Sequence, residues 1–161
     1  MEASLEEQVG RALKARGWTL AVAESCTGGL VADRITDVPG SSDYFLGGVV
    51  AYANMAKERI LGVRASTLES HGAVSQETAV EMAKGVRRAF GADLAVAVTG
   101  IAGPGGAQAD KPVGLTWLGL SGPAGDRAEQ HVWPEDRRGN KALSAEAALE
   151  MLLHELDRTD G

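Results

Sequence analysis

The chain has 161 residues, 44% of them hydrophobic and 4% aromatic, with a formal net charge of −6. That length predicts one domain, spanning 1–161, with room for a core that needs no covalent staple; the acidic balance, with no basic stripe, excludes a reader of nucleic-acid backbones but leaves room for a local cationic site. The single cysteine, Cys26, rules out an internal disulfide, the N-terminal segment is charged rather than leader-like, and no apolar run reaches membrane-spanning length, so a cytoplasmic chain without membrane contact is expected.

Leu5, Val9, Ala12 and Leu13 recur at helical spacing and Gly17 offers a stop. Residues 18–24 form a short apolar run, the signature of a buried strand. The run breaks at Ser25-Cys26-Thr27-Gly28-Gly29, and a helix follows until Pro39 and Gly40. Phe45 to Ala53 is a second predicted strand, and Asn54 is the expected N-cap of a short helix ending before Gly62. A loop is expected from Ser66 to Gly72. Ser75 then caps a long helix with Ala79, Met82, Ala83, Val86 and Phe90 on one face. Asp93 to Val98 is a third buried strand, running into Thr99-Gly100-Ile101-Ala102-Gly103-Pro104-Gly105-Gly106. Residues 108–112 are polar and expected to be mobile. Val113–Leu120 and Arg127–Trp133 flank a turn-forming stretch and predict a hairpin. Leu149, Leu152, Leu153 and Leu156 mark a final helix.

This alternation predicts a layered α/β domain whose early strands are parallel, joined by right-handed crossovers. The hairpin makes the sheet mixed, and the count is about five strands. Ligands in such sheets sit beyond the carboxyl ends of the parallel strands. Both glycine-rich breaks fall there, so two loops should converge on one crevice.

The first break places Ser25 between a strand and the start of a helix, where free amides and the helix dipole attract an oxyanion or phosphate. An equally simple reading has Ser25 or Thr27 merely capping that helix. The second break lacks the Lys-Ser/Thr ending of a P-loop and the helix-opening spacing of a dinucleotide fingerprint. It is either a ligand cradle or a wide turn. Lys57 falls in the first turn of a short helix, where dipole and burial would lower its pKa towards that of a usable base; by spacing alone the better reading is a solvated surface lysine. Cys26 fits a small buried residue better than a nucleophile. His71, His131 and His154 have no metal-ligand spacing. Arg137 and Arg138 follow the last strand and either bind an anion or line a solvated loop.

Three stretches, AESCTGGLVADRITDVPGSSDYFLGGVVAYANMAKERILGV, HGAVSQETAVEMAKG and AVAVTGIAGPGG, resemble the C-terminal domain of the CinA family of competence/damage-inducible proteins, and the likeness covers nearly the whole chain. The resemblance implies a three-layer α/β/α domain with a mostly parallel mixed sheet, assembled as a homo-oligomer. It also implies nicotinamide mononucleotide deamidase activity, in which the carboxamide becomes the acid and ammonia leaves. Larger members carry an N-terminal domain linked to ADP-ribose pyrophosphatase activity; this chain starts too late to include it, and that activity is not expected.

Matched motif by motif, Ser25 falls in AES-x-TGG, Ser42 in PGSS, Tyr52 in VVAY, Lys57 in the N-x-AK stretch and Thr99 in TGIAGPGG, while Arg137 is the arginine after the last strand. The segment WPEDRRGN departs from the family's phenylalanine-proline-glycine-aspartate-arginine pattern, and a basic residue usual a turn later appears as Lys141. The expected scheme needs neither metal nor cofactor. Ser25 is the nucleophile with Ser42 as rival or proton relay, Lys57 is the base, and Tyr52 relays or orients. Backbone N–H groups of Thr27, Gly28 and Gly29 hold the oxyanion or phosphate, and Thr99, Gly100, Gly103 and Arg137 hold the rest of the nucleotide. The alternative is a module that binds a pyridine nucleotide without cleaving it.

Overall fold

The computed structural model describes residues 2–158. The elements are α1 (Leu5–Arg16), β1 (Leu20–Glu24), α2 (Leu30–Thr36), a 3-10 turn (Ser41–Asp43), β2 (Phe45–Val50), α3 (Asn54–Leu61), α4 (Ala65–His71), α5 (Gln76–Phe90), β3 (Leu94–Gly100), β4 (Leu115–Gly122), β5 (Gly125–Val132) and α6 (Arg137–Arg158). They form one five-stranded sheet in the order β2-β1-β3-β4-β5. β1 is parallel to both β2 and β3, and β3-β4 and β4-β5 are antiparallel. The sheet is thus mixed, as expected.

Side-chain size separates the two faces. β1 and β3 alternate large and small residues, and successive side chains of a strand point to opposite sides. Leu20, Val22, Leu94, Val96 and Val98 face a core completed by Val9 and Leu13 of α1, Val31 and Ile35 of α2, and Leu149 and Leu152 of α6. Ala21, Ala23, Ala95 and Ala97 face the other layer, built from Leu61 of α3 and Met82, Ala83 and Val86 of α5. Each fully buried leucine contributes about 1.5–3 kcal/mol relative to exposure. The alanine face lets α5 lie close on the sheet. A Cβ at Gly119 of β4 would collide with the Ala79 carbonyl of α5.

Strand register decides which loops share an edge. Glu24 is paired with Val98 of β3 and Val50 of β2, and the Ser25 N–H donates to the Val98 carbonyl at 3.0 Å. Ser25, Thr99 and the residues after Val50 therefore gather at one edge. At the other end of the strand, Leu20 pairs with Phe45. What precedes β2 lies at the opposite edge, five strand residues away, or roughly 17 Å at ~3.3 Å per residue.

Three local expectations change. The segment expected as a loop from Ser66 to Gly72 is largely helix α4. It has little apolar periodicity, and Glu81 of α5 holds it by accepting from the Thr67 hydroxyl at 2.6 Å and from the Arg64 N–H at 2.9 Å. The N-cap of α3 is Ala53, which has no side-chain cap, and Asn54 is already helical. Residues 108–112 are tied down: Gln108 and Lys111 exchange backbone bonds, and Lys111 Nζ donates to the His71 carbonyl at 2.6 Å. Among the described residues no helix is long and apolar enough to cross a membrane.

Candidate active site

The centre of the carboxyl edge is a buried lysine. Lys57 is 1% exposed. It is the fourth residue of α3, and helical side chains lean back towards the N-terminus. Its Nζ thus returns to the end of β2, where it donates to the carbonyls of Ala51 at 2.9 Å and Tyr52 at 3.0 Å. The third neighbour is Ser25 Oγ, at 3.0 Å. Burial holds the Lys57 ammonium below the ordinary lysine range. A neutral amine has two N–H donors and one lone pair. Two carbonyls and one hydroxyl accept the three N–H donors of the ammonium, and when Lys57 gives up a proton the two carbonyls can keep the remaining N–H groups while the lone pair faces Ser25.

Glu24 holds the loop that carries Ser25. Its side chain is buried, and its carboxyl oxygens accept from the N–H groups of Gly29 at 3.2 Å, Val31 at 2.9 Å and Ala32 at 3.0 Å. This corrects the expected anion site. The amides at the start of α2 are already occupied by the chain's own carboxyl group. The Gly28 N–H donates to the Ser25 carbonyl at 3.1 Å. Gly28 and Gly29 do not hold a ligand through their N–H groups; their left-handed φ values, 62° and 109°, make the tight turn that returns α2 to Glu24. Among the described residues, the N–H groups of Cys26 and Thr27 meet no other residue's acceptor and are the loop's uncommitted donors beside Ser25. The Thr27 hydroxyl is buried without a partner. Burial pushes the Cys26 thiol up to about 11, so it is not a thiolate at neutral pH.

The other walls come from the second loop and α6. Thr99 is buried, and its hydroxyl donates to the Ala73 carbonyl at 2.7 Å, which fixes the wall formed by Ala73 and Val74. Gly100 packs where a side chain would press on Thr116, Leu115 and Cys26. Arg137 bridges two loops: Nη1 donates to the Gly103 carbonyl at 2.7 Å and Nη2 to the Tyr52 hydroxyl at 3.2 Å. Tyr52 reaches Lys57 through its carbonyl, while its ring is exposed and its hydroxyl turns to Arg137. Lys141 Nζ lies 3.9 Å from where a side chain at Gly28 would begin, beside the Ser25 loop. Sequence reasoning overlooked Asn140, which is buried, donates to the Ala102 carbonyl at 2.9 Å and accepts from the Glu135 N–H at 3.0 Å. It pins the glycine loop to α6.

These groups enclose a cavity of ≈ 290 Å³, with Ser25, Tyr52, Asn54, Lys57, Thr99, Gly103 and Arg137 in its lining. That is the lower end of the size range for small-molecule sites. A larger groove of ≈ 610 Å³, past Val74, holds Trp117 and His71; the hydrogen-bonded Ser25 and Lys57 lie in the smaller cavity. Ser42 is not part of it. It lies in the 3-10 turn before β2, exposed, at the opposite edge of the sheet. Parallel pairing of β1 and β2 leaves no route for it to reach Lys57 of its own chain. Among the described residues no cluster of His, Cys, Asp and Glu is arranged to hold a metal ion.

A profile of the CinA C-terminal domain matches residues 2–156. The chain is 53% identical over 149 residues to a CinA-like protein of Salinibacter ruber, covering 92% of this chain and 36% of that protein. It is 54% identical over 155 residues to a CinA-like protein of Desulfosudis oleivorans, covering 95% and 37%. The chain thus spans a little over a third of the length of these curated relatives. Among solved structures, it superposes on the competence damage-inducible protein A (ComA) of Klebsiella pneumoniae with a TM-score of 0.93, 36% identity and 97% of each chain covered. The corresponding values for the competence/damage inducible protein CihA of Agrobacterium tumefaciens are 0.87, 40% and 98%.

Proposed function

Because the chain belongs to the CinA C-terminal domain family, we propose that it hydrolyses the carboxamide of nicotinamide mononucleotide, using Ser25 as nucleophile and Lys57 as general base. The substrate class rests on the family resemblance. The chemistry rests on one observation, the buried Lys57 Nζ held 3.0 Å from Ser25 Oγ by two carbonyls.

The cycle follows from that arrangement. Neutral Lys57 accepts the Ser25 proton as Oγ bonds to the carboxamide carbon. The carbonyl oxygen becomes an oxyanion, and the N–H groups of Cys26 and Thr27 are the donors beside it. The C–N bond then breaks, Lys57 returns the proton to the leaving nitrogen, and ammonia departs. Water attacks the acyl ester and gives its proton to Lys57. The C–Oγ bond breaks and Ser25 recovers its proton. One amide and one water become one acid and one ammonia. Neutrality of Lys57 serves a second purpose, since an ammonium beside the substrate's pyridinium would repel it. Arg137, in the cavity lining, supplies the positive charge that a phosphate needs.

The experiment is incubation with nicotinamide mononucleotide, reading ammonia by a coupled assay and the acid product by chromatography. Equimolar release of both supports the proposal. Tight binding by calorimetry without release of either would make the chain a binding module instead.

A further inference from the structure

Asn54 opens α3, and because Ala53 takes the N-cap position the Asn54 amide is not spent on the helix. Asn54 lies three residues before Lys57, a spacing that puts both side chains on one face of the helix. Both line the catalytic cavity, Lys57 at depth and Asn54 exposed at the mouth. The other polar side chains of the lining are engaged. Ser25 meets Lys57, the Tyr52 hydroxyl accepts from Arg137, and Thr99 donates to the Ala73 carbonyl. The carbonyls of Ile101, Ala102 and Gly103 are taken by the Gly114 N–H, Asn140 and Arg137. Apart from the weakly polar Cys26 thiol, Asn54 is the one lining side chain whose hydrogen-bonding atoms meet no described residue.

A carboxamide has two unlike ends. Its oxygen needs donors as it becomes an oxyanion, and its nitrogen carries two N–H groups that need acceptors. The N–H groups of Cys26 and Thr27 are the donors for the oxygen. Lys57 Nζ, which returns a proton to the nitrogen, is held on the Tyr52 carbonyl, two residues before Asn54. We propose that Asn54 is the acceptor for the nitrogen: its Oδ1 takes one N–H of the substrate carboxamide and turns that group with its nitrogen towards α3 and its oxygen towards the Ser25 loop. The leaving nitrogen then lies beside the amine that protonates it. Asn54 also selects for an amide, because a site built to accept an N–H disfavours an analogue that has none. The methyl ester of the product acid is such an analogue: water and the ester give the same acid and methanol by the same attack of Ser25. The inference rests on the proposed deamidase reading.

The test compares kcat/KM for nicotinamide mononucleotide and for the methyl ester of nicotinic acid mononucleotide, reading the acid product by chromatography. Exposure of Asn54 makes its substitution mild for folding, which circular dichroism checks. Asn54→Leu removes the acceptor at similar size. It should lower kcat/KM for the amide by about ten- to a hundredfold and leave that for the ester within about threefold. Asn54→Asp keeps an accepting oxygen and loses the donor, so its amide-to-ester ratio should match that of the unaltered chain. The ratio cancels any effect of the added charge on the pyridinium. Equal losses on both substrates in Asn54→Leu, or no loss on either, would overturn the inference while leaving the deamidase reading in place. A ratio in Asn54→Asp as low as in Asn54→Leu would overturn it too, since Asn54 would then act as a donor. An unaltered chain that hydrolyses neither substrate would overturn the reading and this inference with it.

Discussion

Lys57 Nζ lies 3.0 Å from Ser25 Oγ, and the carbonyls of Ala51 and Tyr52 take its other two bonds. The first consequence concerns the side chain itself. Lys57→Arg should be nearly as damaging as Lys57→Ala, each lowering kcat/KM by about 10²–10⁴, because a guanidinium keeps the charge but cannot act as a base. Steady-state kinetics on the two variants decides it. If Lys57→Arg keeps most of the activity, Lys57 is a fixed charge rather than a base.

The second consequence is a pH dependence. The base works unprotonated, and burial lowers its pKa, so the rate should rise with pH through an apparent pKa below the ~10.4 of free lysine. Stability moves in the same sense. The unfolded chain binds this proton more tightly than the folded one, so the cost of burying Lys57 is full below its folded pKa. That cost diminishes as pH rises towards its unfolded pKa. Urea denaturation across that interval, against Lys57→Met as reference, should show the unaltered chain gaining stability relative to the variant.

Cys26 neighbours Ser25, the proposed nucleophile, yet its thiol is buried and pushed up to about 11. Cys26→Ala should keep most of the turnover, and iodoacetamide should label the native protein slowly. Rapid labelling with matching loss of activity would mean that the thiol is the reacting group.

Glu24 accepts from three amides at the start of α2. Glu24→Gln replaces an accepting oxygen by an amide donor that faces N–H groups, and should cost about 2 kcal/mol of stability. It should also lower kcat more than it raises KM, since it frees the Ser25 loop while leaving the α6 rim intact. Denaturation and kinetics on one variant read both effects.

Arg137 and Asn140 both hold the glycine loop, but Arg137 is exposed and Asn140 buried. Arg137→Ala should raise KM about tenfold or more with a stability change within about 1 kcal/mol. Asn140→Ala strands the Ala102 carbonyl and the Glu135 N–H, and should cost about 1–3 kcal/mol. A reversed pattern in thermal melts and KM would place the anion contact elsewhere.

The sheet was legible because β1 and β3 are short apolar runs that end in glycine-rich breaks, and the carboxyl-edge rule then places Ser25 and Thr99 together. Lys57 was not legible by spacing. Its burial depends on α3 folding back over the end of β2, which one-dimensional periodicity does not encode. Glu24 was overlooked for a related reason, since nothing about a glutamate ending a strand signals that it will cap the helix after the turn. Ser42 is instructive in the other direction. Parallel pairing of the first two strands was expected, and it already implied that a residue just before the second strand lies at the far edge. Helix α4 was missed because Ala65–His71 has one buried residue, Thr67, and owes its place to Glu81 of α5.

The most direct test is ammonia release from nicotinamide mononucleotide by Ser25→Ala beside the unaltered chain, with folding of both confirmed by circular dichroism. The account predicts steady release by the unaltered chain and a loss of at least about 10³-fold in the variant, because no neighbouring group can replace the acylated oxygen. A folded Ser25→Ala protein that still releases ammonia at a comparable rate would contradict it.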